Sequence, residues 1–318
     1  MTLPISILSS PACTFSAIAT RNVGSFFRTP DKIENRITNP IRPDAKLAVL
    51  WVGHSTVLIQ IGQKFVLTDP VFTPYVGGLS HRLVEPGIAL EHLPRIDAVL
   101  VSHRHFDHLS RGTFHQLHSK QTNVLTPVGA AADVPEGSYQ VEEIPYWGRW
   151  EKDGLVVTAV PADHNGGRFL DLTAHPLAFT GYVVQHDGVT VYFAGDTAYQ
   201  KSLFDEIARR FGRIDLALMP IGPISPPDIM LKHHLDPTQA LQAANDLQAD
   251  VMVPIHFGTF INSLDAPGAC EAALDETLRQ ERANRVTVEK LRIGERRVLI
   301  SADAAAPISK GPLLQGVN

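Results

Sequence analysis

The chain has 318 residues, 44% of them hydrophobic and 19% charged, enough to bury a large core in one large domain or two fused halves. With 28 basic against 33 acidic residues the formal net charge is −5, which argues against a general nucleic-acid surface built from clustered Lys and Arg. Two cysteines, Cys13 and Cys270, cannot make a disulfide framework, so a reducing compartment and a cytoplasmic location are expected.

The first twenty residues carry no charge, and Ala17, Ile18 and Ala19 look like a small-residue cleavage site. There is no basic start, however, and Pro4, Ser9, Ser10 and Pro11 interrupt the apolar run, so export is only the alternative. No stretch reaches the roughly 20 apolar residues of a membrane span, which leaves peripheral membrane contact open. Residues 1–45 are expected to be an irregular arm, because Pro4, Pro11, Pro30, Pro40 and Pro43 discourage long helices and central strands. Phe26, Phe27 and Arg28 read as packing of that arm against the folded domain, residues 46–301. Residues 302–318, small and bearing Pro and Gly, read as a loose tail.

Strands are expected at 47–52, 56–61 and 64–69, the last two joined through Gly62 and Gln63 as a hairpin. A second hairpin, 182–185 and 191–196 around Asp187 and Gly188, echoes it, and similar phrases follow each hairpin at 95–100 and 213–218. The repeat predicts two related αβ halves with Asp69 and Asp196 in corresponding places. A helix over 202–211 has Leu203, Ile207 and Phe211 on one face and stops at Gly212. Asp236 and Pro237 read as N-cap and first helical residue of a second, with Ala240, Leu241, Ala244 and Leu247 on one face. A third is expected over 269–283, with late strands at 286–288 and 297–300. His115 and His118, on a short helix, read as a solvated face.

The densest chemistry follows the apolar strand 98–101, where Ser102, His103, Arg104, His105, Phe106, Asp107 and His108 run together. Three His and one Asp in six residues supply donors for two borderline-soft divalent ions. A sharp turn there could aim His103 and His105 at one ion and Asp107 and His108 at its neighbour. Further single donors close later strands, namely His164 after 155–159, Asp196 after 189–192 and His256 after 251–255. Two metals about 3.5–4 Å apart lower the pKa of a shared water and clamp attacking and leaving oxygens, so no Ser or Cys nucleophile is needed.

The His-x-His-x-Asp-His run resembles the signature of the metallo-β-lactamase superfamily. That resemblance implies an α/β fold, a four-layer αββα sandwich with sheet packed on sheet and helices outside. It also implies that His103, His105 and His164 hold one metal, Asp107, His108 and His256 the other, and that Asp196 bridges both. Asp69, before Pro70, would then hold a ligand histidine through its far nitrogen, and His54 would support the site in a similar way. Asp107 would accept a proton during turnover by a metal-bridging hydroxide.

Several phrases narrow the resemblance to the N-acyl phosphatidylethanolamine-hydrolysing phospholipase D branch. They are Trp51 to Thr56, Leu67 to Phe72, Ser102 to Leu109, Phe193 to Thr197, Pro220 to Gly222, His234 to Pro237 and Ile255 to Phe260, spread over residues 47–262. By that likeness His234 is an active-site histidine that is not a ligand and contacts the phosphoryl oxygen or leaving group. The implied activity is a phospholipase D-like phosphodiesterase acting on a small-molecule or lipid phosphodiester. A lactonase related to ascorbate 6-phosphate lactonases and a non-catalytic metal-binding sensor are the alternatives. Zinc is the expected metal, although His and carboxylate donors without Cys also suit Mn, Fe or Ni. The chain departs from the branch in its short N-terminal region and in the loops 73–90 and 223–231. Tyr146, Trp147 and Trp150 offer either an acyl-binding surface or a packed loop.

Overall fold

In the computed structural model, residues 11–25, 28–34, 36–78, 80–117, 123–168, 178–281 and 284–302 are described. The first half of the chain supplies β1 (Ala45–Gly53), β2 (Thr56–Ile61), β3 (Lys64–Thr68), a small ribbon of β4 (Tyr75–Val76) and β5 (Ser80–His81), then β6 (Ala98–Leu100), β7 (Asn123–Pro127) and β8 (Gln140–Ile144). The second half supplies β9 (Arg149–Lys152), β10 (Leu155–Val160), β11 (Gly181–His186), β12 (Val189–Phe193), β13 (Ile214–Pro220), β14 (Ala249–Ile255), β15 (Thr287–Val288) and β16 (Arg296–Ser301). They form two seven-stranded sheets, ordered β16-β1-β2-β3-β6-β7-β8 and β15-β14-β13-β12-β11-β10-β9.

The alternation of side chains along each strand explains the layers. From β1, Val49 and Trp51 point into the space between the sheets, where they meet Val157, Tyr182, Val191 and Leu216 of the second sheet. Leu50 and Val52 point the other way and pack with Phe114 and Leu117 of helix α2 (Arg111–Leu117). On the far side Val183, Tyr192, Ala217 and Met252 are covered by helices α3 (Lys201–Phe211), α5 (Pro237–Asp246) and α6 (Ala269–Gln280), through Phe204, Ile207, Leu241, Ala244 and Leu274. The central strands are therefore buried on both faces, and every residue of β2, β12 and β13 is buried, Gln60, Thr190 and Asp215 included. The architecture is the expected αββα sandwich.

The internal repeat is structural. The antiparallel hairpin β2–β3 is followed by β6 parallel to β3, and the hairpin β11–β12 by β13 parallel to β12. The last strand breaks that symmetry. β15 stays in the second sheet beside β14, whereas β16 crosses back to pair antiparallel with β1, Val49 opposite Arg297. Asp236 caps α5 as expected, with a full capping box, its carboxylate accepting from the Gln239 N–H at 2.8 Å and Gln239 Oε1 accepting from the Asp236 N–H at 3.2 Å.

One expectation needs correction, and one open alternative is decided. Residues 11–25, read as irregular, form helix α1 (Pro11–Ser25), which begins at a proline because the missing N–H has no partner to lose in a first helical turn. Its docking is polar: Asn22 Nδ2 donates to the Ile261 carbonyl at 2.9 Å, and Arg21 donates to the carbonyls of Ser263 and Asp265 at 3.0 and 2.7 Å. The aromatic phrase at 146–150 is a packed loop rather than an acyl surface. Trp150 lies in the core between the sheets, Trp147 lies under the Arg210 guanidinium at 3.9 Å, and Tyr146 donates to the Phe179 carbonyl at 2.9 Å. Phe26, Phe27, His118 and the tail from 303 onward lie outside the described residues. No described helix is long and apolar enough to cross a membrane.

Candidate metal centre

Every predicted donor sits just beyond the C-terminal end of a strand: His54 after β1, Asp69 after β3, the run 102–108 after β6, His164 after β10, Asp196 after β12 and His256 after β14. Three of these leave their strand in the left-handed region, at φ 54° for His54, 31° for Asp69 and 64° for His256. Such backbone costs on the order of 1–3 kcal/mol per residue and persists only where the surroundings over-determine it. Gly195, at φ 61°, precedes Asp196 because a Cβ there would stand 2.5 Å from the Ser102 Cβ. Only glycine lets the Asp196 turn close on the histidine run.

The side chains gather into two groups. In the first, His105 Nδ1 lies 2.8 Å from His103 Nε2 and 3.3 Å from His164 Nε2. In the second are His54, Asp107, His108 and His256, with His108 Nε2 at 3.2 Å from His256 Nε2. Asp196 stands between them. Its Oδ2 is 3.2 Å from both His108 Nε2 and His256 Nε2, and 3.8 Å from both His103 Nε2 and His164 Nε2. Ligands held 2.0–2.1 Å from a tetrahedral zinc are spaced about 3.3–3.4 Å apart, so these separations suit donors around shared ions.

Hydrogen bonds on the far side of each ring fix which nitrogen points inward. His108 Nδ1–H donates to Asp69 Oδ2 at 2.6 Å, and Asp69 also accepts from the Ser102 N–H and Oγ–H, both at 2.6 Å. His103 Nδ1–H donates to Ser102 Oγ at 2.9 Å, and His164 Nδ1–H to the His233 carbonyl at 2.8 Å. In all three the Nε2 lone pair is left for the centre. His54 supports from another side. Its Nε2–H donates to Asp107 Oδ2 at 2.9 Å, while its carbonyl accepts from the His256 N–H at 3.0 Å and the Trp51 indole at 2.9 Å.

The electrostatics ask for cations. Asp69 and Asp196 are buried and Asp107 is half-buried beside them, and among the described residues all their ion-pair partners are histidines. Burial opposes ionisation of Asp107 and Asp196, but His108, joined by the His54 hydrogen bond at Asp107 and by His256 at Asp196, outweighs it and holds both carboxyls well below the usual carboxylate range. Burial likewise disfavours charge on His108, yet Asp196, Asp107 and Asp69 hold it well above the ordinary imidazole value. His103, His105 and His164 are pushed down by burial and, in part, by one another, which keeps them in the neutral form that ligates. Asp196 Oδ1 has no hydrogen-bond partner among the described residues. Divalent cations fit this set: they would take the place of the His108 proton and satisfy the orphaned oxygen.

Of the remaining site residues, His234 comes within 3.6 Å of Asp196 Oδ2 through Nδ1. His115 is exposed on α2, away from the cluster. Ser102, the His233 carbonyl, Trp51 and Thr259, whose Oγ1 accepts from the His54 main-chain N–H at 2.7 Å, are supports that the sequence does not announce. Ser102 and Trp51 lie inside the quoted motifs, but nothing in a lone Ser or in a main-chain carbonyl marks a hydrogen bond to a ring nitrogen. Replacing Asp69 with Asn removes the carboxylate that orients His108, so Asp69→Asn is expected to weaken metal affinity by about 10- to 100-fold. Competition against a chromophoric chelator measures this, and unchanged affinity would show that Asp69 does not support the centre.

The family described as "Beta-lactamase superfamily domain" matches residues 64–257. An uncharacterized protein of Mycobacterium tuberculosis is 37% identical over 238 residues, 70% of this chain and 62% of that one, so the chain spans less than two thirds of that relative. N-acyl-phosphatidylethanolamine-hydrolyzing phospholipase D 1 of Caenorhabditis elegans is 32% identical over 248 residues, 72% of this chain and 68% of that one. Among solved structures, Igni18, a metallo hydrolase from Ignicoccus hospitalis, superimposes with a TM-score of 0.60 at 22% identity, covering 79% of this chain and 97% of that one, a likeness of fold.

Proposed function

Because the chain belongs to the beta-lactamase superfamily, we propose that it is a dinuclear metal-dependent hydrolase that cleaves phosphodiesters in the manner of a phospholipase D. The observation that carries the two-ion reading is the single Asp196 oxygen shared at 3.2 Å by His108 and His256 and approached at 3.8 Å by His103 and His164. In this reading His103, His105 and His164 hold one ion, Asp107, His108 and His256 the other, and Asp196 both. The ions, zinc by donor type with Mn, Fe or Ni also suited, supply Lewis acidity for water activation and for neutralising phosphoryl charge.

The chain's own groups do the rest. Asp107, held by the His54 N–H, accepts the proton of the attacking water as its oxygen bonds to phosphorus, and that proton passes to the ester oxygen as its bond to phosphorus breaks and the alcohol departs. His234 is pushed down to about 3, chiefly by burial, so it stays neutral at physiological pH and offers an N–H to the phosphoryl or departing oxygen without carrying charge. The buried walls around His54 and Asp196 keep bulk water from competing for these bonds. The likeness to the nematode phospholipase D over most of the folded chain favours a phosphodiester, and a lipid, over a lactone.

Metal-replete protein assayed against phosphodiesters, phospholipids and lactones tests the reading. Phosphodiester turnover is expected, with His234→Gln lowering kcat on the order of 10²-fold at unchanged metal content. Turnover of lactones alone would overturn it in favour of the lactonase alternative, and an inert but metal-loaded protein would favour a sensor.

A further inference from the structure

A groove of about 310 Å³ opens beside Asp107. It runs between α1 and the loops carrying the centre, and its walls include Ile18, Ala19, Val76, Phe106, Phe260 and Ile261. Among the described residues that line it, Asp107 is the one that carries a charge. Phe106 belongs to the histidine run, so one wall of the groove is built from the same loop that carries the candidate ligands. That wall is braced: the Arg168 guanidinium lies 4.7 Å from the Phe106 ring, and a Cβ on Gly77 would come within 3.2 Å of it.

The opposite wall is α1, whose described buried residues are polar, whereas an ordinary surface helix buries its apolar stripe. Among its described side chains Thr14, Asn22 and Ser25 are the buried ones, with Asn22 and Arg21 bonded to the main chain of 261–265 and the Ser25 carbonyl bonded to His81. Ile18 and Ala19 are left half-buried along the groove, and Val23 is exposed. Polar bonds thus pin the helix so that Ile18 and Ala19 line an opening rather than fill a core.

Resting on the phosphodiesterase reading above, we propose that this groove is the tail subsite and that the substrate is a single-chain amphiphile: a phosphodiester carrying one alkyl or acyl chain. The chain lies between α1 and Phe260 while the phosphodiester lies at Asp107. Volume argues against two chains. The groove is at the small end of the roughly 300–1,000 Å³ of small-molecule pockets. At about the 30 Å³ that a water-sized group occupies in a liquid, it holds about ten methylenes.

The test uses 4-nitrophenyl alkyl phosphates of increasing chain length with the metal-loaded full chain. The ratio of kcat/KM to that of the methyl ester is expected to rise about two- to fourfold per methylene and to level off near ten carbons. Ala19→Trp, which fills the groove, is expected to lower the decyl-to-methyl ratio at least tenfold, and Val23→Ser, outside the groove, to leave it unchanged. A ratio that stays flat with length, or that Ala19→Trp does not alter, would overturn the proposal. Calorimetric binding of decylphosphocholine and dihexanoylphosphatidylcholine to the unaltered protein needs no turnover, so it separates the groove from the reaction. Tighter binding of the single chain supports the subsite even if no phosphodiester is hydrolysed; equal or tighter binding of the two-chain lipid contradicts it.

Discussion

Asp196→Asn is expected to lower kcat on the order of 10³-fold or more, the scale on which single electrostatic groups at the reacting centre act, while the fold survives. The substitution is nearly isosteric, so the packing of β12 and the Gly195 turn is kept. What changes is charge at the one oxygen that both donor groups share, 3.2 Å from His108 and His256 and 3.8 Å from His103 and His164. With Asn there, Asp107 alone would balance two dications among neutral imidazoles. Metal content should fall with activity, and the far-ultraviolet circular dichroism should not change. A folded Asp196→Asn protein that keeps both metal and activity would rule out a bridging role. Loss of both the fold and the activity would instead assign Asp196 a structural part.

Removing metal is expected to have the second largest effect, on stability. The centre gathers Asp69, Asp107 and Asp196 where every described ion-pair partner is an imidazole, and without cations His108 must carry the balancing proton. Any ligand that binds only the folded chain stabilises it by about 4 kcal/mol at a thousandfold excess over Kd. For a domain of this size that corresponds to a fall in Tm of about 10 °C on chelation, restored by adding zinc back. Calorimetry with and without chelator measures it. The donors lie at strand ends on both sheets, β6 in one and β10, β12 and β14 in the other, so the ions would tie the two halves together. An unchanged Tm would show that nothing in this cluster is bound tightly enough to matter.

Much of this was legible in the chain because the signals were local. The His-x-His-x-Asp-His run is contiguous, the hairpins repeat with their turn residues, and Asp236 with Pro237 writes a helix start in two adjacent positions. His164, Asp196 and His256 each follow an apolar strand, and parallel neighbours such as β12, β13 and β14 end on one edge, which is why distant residues meet. What the sequence hid was non-local or carried by the main chain. Nothing in Arg297, Val298 and Leu299 says that their strand abandons β14 and β15 for β1. Helix α1 has no local signature: Pro11 stands at its first turn, the one place where proline favours a helix, and Arg21 and Asn22 hold it by bonding to carbonyls some 240 residues away. The carbonyl of His233 that orients His164 has no side-chain signature at all.

The most direct measurement is anomalous diffraction from crystals of the metal-replete protein, with the metal identified from its absorption edge. Two peaks about 3.5–4 Å apart are expected, one within reach of His103, His105 and His164, the other of Asp107, His108 and His256, and both bordering Asp196. A single peak, or an empty cluster after loading, would contradict the account.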